Sequence, residues 1–260
     1  MELNKEAVKK GSKYLCEDAQ KLLEMAYHIY KDLTFELPQG VLGDTIVSNI
    51  VTVSLEGINN AGKTTQVKRI AKKLDKLNPV IPPRFYDCVP SRIIFGKSQG
   101  NFYEMFSPVV DSLLIGSACL QKYHILNELG AHFVLSDRSM DSLYVFQGRK
   151  LAEVGHDIDE AILWLKGLVS GVDKDKFRFY LNITIDECER RSFEKYKATG
   201  RPPLKKEYLD ELKNNLKIYK KLFEDTKREY IVINAHKPIE SITNEIIGYL
   251  KQGGLEEILK

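Results

Sequence analysis

The apolar positions of the chain follow two rhythms. Near the start, Leu15, Ala19, Leu22, Ala26, Ile29 and Leu33 recur at steps of four and three, which is the spacing of one helical face. This predicts a helix from about Lys5 to Leu33, packed on its own domain rather than serving as a dimerisation helix. The segment "ELPQGVLGD" breaks the pattern with a proline and two glycines and reads as a loop. From Ile50 the rhythm becomes strand, turn, helix. "NIVTVSLEG" is β-branched and apolar, as a strand buried on both faces should be. Further apolar strands are predicted at "AHFVLSD", "FRFYLNIT" and "EYIVINA". Between them run helical stripes: Val67, Ile70, Ala71 and Leu74; Ile158, Ile162, Leu165 and Val169; Leu209, Leu212, Leu216 and Tyr219; Ile239, Ile242, Ile246 and Leu250. Strands alternating with helices at this spacing predict an α/β fold whose parallel sheet is covered on both faces. No internal repeat or low-complexity tract interrupts it.

Length and composition narrow the class. At 260 residues the chain can build one sizeable α/β domain, or at most two small ones. The expected division is an N-terminal helical extension over 1–47 and an α/β domain over 48–252. A net charge of +3 does not announce nucleic-acid binding, and none is expected. Cys16, Cys88, Cys119 and Cys188 are scattered without a CxxC pair, the pattern of reduced thiols rather than a disulfide framework or zinc site. The opening "MELNKEAVKKGSKYL" lacks the apolar stretch of a secretory signal. No apolar run approaches the about 18 residues that span a bilayer. The expected location is the cytoplasm, with no membrane partner. The five histidines show no metal-ligand spacing, and Ser139 and Ser142 lack a histidine partner for nucleophilic hydrolysis.

The first chemical signal is "GINNAGKT", which fits G-x-x-x-x-G-K-[ST] with Gly57, Gly62, Lys63 and Thr64 in the defining places. Glycines permit the backbone angles that turn successive N–H groups inward as an anion nest. The helix that follows adds its positive end. Lys63 would reach the terminal phosphates of ATP, and Thr64 would offer a hydroxyl to Mg²⁺. The motif follows a predicted strand and opens a predicted helix, which is the context it needs. The second signal is "FVLSDRSMDSLYVFQG", in which a strand ends in Asp137 and Arg138. That is the carboxyl edge of the sheet, where ligands bind in open α/β folds. Asp137 could hold Mg²⁺ directly or through water, and Arg138 could grip a phosphate through two N–H groups.

Together, "LEGINNAGKTTQ" and "DRSMDSLYVFQG" resemble the signatures of the thymidylate kinase family, and the resemblance covers most of Val51 to Leu250. It implies a three-layer P-loop kinase fold with a five-stranded parallel sheet and a mobile lid, here at about 192–206. It also implies ATP-dependent phosphorylation of dTMP, with ATP and Mg²⁺ as cofactors. Carried over residue by residue, it places Gly57, Asn59, Asn60, Ala61, Gly62, Lys63, Thr64 and Thr65 around the donor, with Arg201 in the lid over the donor phosphates and Ala235 on the adenine side. Arg84, Arg138, Gln121, Gln147 and Asn59 fall to the acceptor, and Thr64 and Asp137 to the metal. Lys63, Arg138 and Arg191 take the catalytic places, Arg191 at the exit of the helix that leads into the lid. Homodimerisation is common in the family, and the N-terminal helical segment lies outside the match.

The departures bear on the acceptor. The family's loop carries a carboxylate where this chain has Asn59, and an aromatic residue commonly follows the Asp-Arg pair where this chain has Ser139. The family's base-reading arginine is missing near Leu120 and Gln121. "DRSMDSLYVF" also resembles the corresponding motif of deoxynucleoside kinases, where a glutamine reads the base. A phosphate monoester with a second pKa of about 6 is already largely a dianion at neutral pH and needs cations. A nucleoside hydroxyl is neutral and benefits from a nearby carboxylate base. Asn59 in place of the loop carboxylate, together with Arg84 and Arg138, favours a monophosphate acceptor. A deoxynucleoside acceptor and a nucleotide-binding regulatory protein without transfer remain the alternatives.

Overall fold

A computed structural model describes residues 15, 17–32, 50–82, 107–172, 175–200, 202–225 and 229–259. They form two compact units. One comprises Ile50–Ile81, His132–Ser142 and Asp175–Lys260, and the other takes the remaining segments.

The first unit is built on a parallel sheet. Its strands are β1 (Val51–Glu56), β2 (Phe133–Asp137), β3 (Phe177–Asn182) and β4 (Tyr230–Asn234), in the spatial order β2-β1-β3-β4. Among the described residues the sheet has four strands, where the sequence reading expected five. At the outer edge of β2, Val80 forms a single parallel bridge to Val134. Its N–H donates to Phe133 O, and its carbonyl accepts from Leu135 N–H, both at 2.9 Å. Residues 83–106 lie outside the described residues.

Register follows from side-chain burial. In β1, every residue from Thr52 to Glu56 is buried, as expected for a central parallel strand with both faces covered. Val53 pairs with Leu135 on one side and Phe177 on the other. The two faces can be assigned from neighbouring residues of β3, since successive side chains point to opposite sides. Phe179 meets Tyr249 of α8 (Ile239–Gln252), with ring centroids 6.4 Å apart. Its neighbour Tyr180 meets Tyr219 of α7 (Lys206–Glu224) at 5.1 Å. Helices therefore cover both faces. The helix α2 (Lys63–Lys73) packs beside α8 and over β1 and β2, burying Val67 and Ile70. The stripe Ile242, Ile246 and Leu250 of α8 is buried as expected, whereas Ile239 in its first turn is 53% exposed. A short α9 (Leu255–Ile258) follows α8, and α6 (Ile185–Thr199) packs against α7.

The other unit is helical. The N-terminal helix α1 is described over Glu17–Asp32, with residues 5–14, 16 and 33 of the expected span outside the described residues, and buries Ala19, Leu22, Leu23 and Ala26. It packs along α3 (Pro108–Glu128), whose Gly116 lets Leu22 approach to within 3.2 Å of where a Cβ would lie. α3 is buried around its whole circumference, and α5 (Ile158–Leu168) packs against it. Ser107 caps α3 by accepting from Val110 N–H, and Asp157 caps α5 through the N–H groups of Asp159 and Glu160. Between them in sequence, α4 (Met140–Glu153) begins in the sheet unit and continues in the helical one. No described helix is long and apolar enough to cross a membrane.

Candidate active site

The loop after β1 has the geometry an anion nest requires. Gly57 has φ 137°, and a Cβ there would lie 2.7 Å from Leu181 O, so only glycine fits. Asn60 and Gly62 also adopt positive φ, at 59° and 99°. Asparagine tolerates the left-handed region better than most residues, and this is one physical reason for an asparagine at position 60. Gly62 caps α2, so Lys63, Thr64 and Thr65 form the first turn of the helix with its positive end at the loop.

Lys63 is buried, and its ammonium donates to Gly57 O at 2.9 Å and Ile58 O at 2.8 Å. Burial pushes its pKa from an ordinary 10.5 down to about 7, with the Arg138 charge adding to the effect. Thr64 donates its hydroxyl to Asp137 Oδ2. The two groups supply hard oxygen donors side by side, one neutral and one carboxylate, a donor set that suits Mg²⁺. Thr65 is exposed on the same helical turn, and Ala61 is buried beneath the loop.

Arg138 follows Asp137 with φ 84°, a conformation that costs a non-glycine residue roughly 1–3 kcal/mol. Several contacts hold it there. Its N–H donates to Leu55 O at 3.1 Å. Its guanidinium donates through Nη1 to Ser142 Oγ at 3.0 Å and through Nη2 to Asn59 Oδ1 at 2.9 Å. The Asn59 amide then donates to Tyr208 Oη at 3.0 Å. Asn59 is thus a neutral bridge between the Arg138 guanidinium and α7.

Behind Arg138 lies a buried carboxylate that the sequence reading did not single out. Glu56, fully buried at the end of β1, accepts from Ser139 N–H at 2.6 Å and Ser139 Oγ at 2.9 Å. It also accepts from Ser142 N–H at 3.2 Å, Ser142 Oγ at 2.8 Å and Tyr219 Oη at 2.7 Å. The two serines anchor the turn after β2, which explains why a small hydroxyl residue follows Arg138. The available signal was a carboxylate ending the β-rich run "VTVSL". Ser139 further donates toward Asp141 Oδ2 at 3.2 Å, and Arg178 Nε lies 3.8 Å from the same oxygen.

On the other side of the loop stands α6. Arg191 donates through Nη2 to Ala235 O at 2.6 Å and through Nη1 to Asn60 O at 3.2 Å and Ala61 O at 3.4 Å. Its Nε donates to Glu187 at 2.6 Å. The structure thereby joins Arg191, expected in a catalytic place, and Ala235, expected on the adenine side, to the phosphate loop. Arg191 lies in the middle of α6 rather than at its exit, because the helix runs on through Thr199 and is stopped by Gly200 at φ 70°. Arg190 instead faces Glu187 and Glu194 at the surface. Cys188, also on α6, donates from Sγ to Asn59 O at 3.0 Å and accepts from Asn60 Nδ2 through its carbonyl at 3.2 Å. Burial raises its thiol pKa to about 11, so it is a packing thiol and not a nucleophile.

Arg84 and Arg201 lie outside the described residues. Gln121 and Gln147 belong to the helical unit and are buried on α3 and α4. Neither the nitrogen nor the oxygen of the Gln147 amide has a hydrogen-bond partner among the described residues.

No family model matches the chain. It is 26% identical over 213 residues to a protein named probable thymidylate kinase from Methanocaldococcus jannaschii, covering 79% of this chain and 98% of the relative. It is 24% identical over 213 residues to thymidylate kinase of Staphylococcus epidermidis, covering 76% and 98%. Against thymidylate kinase of Thermoanaerobacter sp. (strain X514) the identity is 26% over 211 residues, covering 77% and 97%. Over 76–79% of its length, the chain is similar to proteins named thymidylate kinase.

Proposed function

We propose that this chain is an ATP-dependent nucleoside monophosphate kinase that transfers the γ-phosphoryl group to a deoxynucleoside monophosphate, dTMP giving dTDP. The observation that carries this reading is the Arg138 guanidinium, held beside the phosphate loop by a neutral Asn59 on one side and Ser142 on the other. A dianionic acceptor needs such a cation. A hydroxyl acceptor needs a base, and Glu56 is occupied by donors from Ser139, Ser142 and Tyr219. The names of the relatives support the same class.

In the proposed reaction the loop amides and the first turn of α2 hold the donor phosphates. Lys63 leaves its two carbonyl partners and contacts the transferred group as an ammonium. Thr64 and Asp137 hold Mg²⁺, which when bound offsets charge on the phosphate oxygens. Arg138 aligns the acceptor phosphate for in-line attack. Arg191 ties the loop to the segment at Ala235, and donates to charge that develops in transfer. Solubility in water and a homodimer accord with this reading and carry none of it.

A screen of ATP consumption tests it, with dTMP, dUMP, other monophosphates and the four deoxynucleosides as acceptors. A monophosphate is the expected best acceptor. Product from thymidine but none from dTMP would replace this reading by a deoxynucleoside kinase, and tight ATP binding without any transfer would make it a regulatory protein.

A further inference from the structure

Two tyrosines of one helix reach Arg138 from opposite sides. Tyr208 in the first turn of α7 accepts from Asn59 Nδ2, and Asn59 Oδ1 accepts from Arg138 Nη2. Tyr219 of the same helix donates to Glu56 Oε2 at 2.7 Å. Glu56 Oε2 also accepts from Ser142 Oγ, which accepts from Arg138 Nη1. Eleven residues separate the tyrosines, about three helical turns, so both project from one face of α7. The buried arm holds Nη1 of the guanidinium, and the half-buried arm at Tyr208 holds Nη2.

We infer that α7 is the positioning element of the acceptor site, and that Tyr208, acting through Asn59, sets the orientation in which Arg138 meets a phosphate monoester. This rests on the monophosphate reading above. Tyr208 touches Asn59, which is itself the side chain that distinguishes this loop, and Asn59 has both of its polar ends committed to the relay. A rotated guanidinium would offer one N–H instead of two to an incoming phosphate, and two-point contact is where arginine gains its selectivity for such groups. The consequence is a separation of effects. Loss of the Tyr208 hydroxyl should weaken acceptor recognition while leaving the donor loop intact, because Lys63, Thr64 and Arg191 make no contact with it.

The test is Tyr208→Phe, which removes one oxygen from a half-buried ring. In steady-state assays with ATP and dTMP, KM for dTMP should rise about tenfold, with kcat and KM for ATP within about twofold. Added to Asn59→Ala, the substitution should have no further effect, since both variants break one relay. A second readout needs no substrate. The ¹⁵N guanidinium resonances of Arg138, assigned by their loss in Arg138→Lys, should show slow rotation in the wild type and faster rotation in Tyr208→Phe. Unchanged rotation in Tyr208→Phe, or equal changes in both KM values, overturns the inference. If the wild type transfers to no monophosphate, the proposed function falls, while the guanidinium resonances still decide whether α7 orients Arg138.

Discussion

The Arg138 guanidinium donates to the side-chain oxygen of Asn59 at 2.9 Å, across 79 positions of sequence. The loop after β1 and the turn after β2 are thereby joined by one neutral amide. An aspartate at position 59 would keep this contact as an ion pair. The asparagine keeps it without cancelling the charge.

Asn59→Ala should therefore act on the acceptor. Without the amide, Arg138 loses its outer partner and Tyr208 loses its donor. KM for dTMP is expected to rise about tenfold, while affinity for ATP, measured by calorimetry, changes by no more than about threefold. An equal loss of both affinities would mean that Asn59 serves the shape of the loop instead.

Lys63 gives a pH dependence whose sign can be worked out. Its pKa is near 7 in the folded protein because the ammonium is buried, against an ordinary 10.5. Between those values the unfolded chain binds more protons, so the Lys63 contribution to stability rises as pH rises from about 7 towards 10.5. Donor phosphates favour the protonated form. ATP binding at pH 8 should take up a proton, seen as a dependence of the calorimetric enthalpy on the ionisation enthalpy of the buffer. Lys63→Met should abolish that uptake.

Glu56→Gln should cost stability before it costs chemistry. The new amide brings donors to a site already filled with donors from Ser139, Ser142 and Tyr219. A loss of about 3 kcal/mol is expected in urea denaturation. Acceptor KM should rise as well, since the turn carrying Arg138 rests on Glu56.

The parts of this site that sequence discloses are those in which one residue type answers a local backbone demand. Gly57 and Gly62 with Lys63 and Thr64 form a contiguous motif, and Asp137 with Arg138 ends a recognisable strand. The apolar runs also located all four described strands. Glu56 stayed hidden because its donors come from positions 83, 86 and 163 residues away, and no local pattern signals such a convergence. Tyr219 was legible only as part of a helical stripe, where its ring packs but its hydroxyl has a separate task. Tyr208 had no signal at all. Arg191 is placed at a helix exit by the family resemblance alone, whereas the helix persists through Thr199 to Gly200. The expected fifth strand reduces, among the described residues, to the bridge at Val80.

Gly57→Ala should injure the donor site through sterics alone. Its Cβ would meet Leu181 O at 2.7 Å, in a backbone conformation that alanine disfavours. The strain of about 1–3 kcal/mol should appear in thermal or urea unfolding. ATP affinity should fall by at least tenfold, and dTMP binding to the nucleotide-free protein should be the less affected of the two.

Calorimetric titration of dTMP and of ATP into the wild type and Arg138→Ala tests most directly whether separate cations hold donor and acceptor. The wild type should bind both. The variant should lose at least about thirtyfold in dTMP affinity, with ATP affinity within about threefold, as expected for loss of a charged two-point contact. A variant that binds dTMP as well as the wild type does, or that loses ATP instead, would contradict the assignment of Arg138 to the acceptor phosphate.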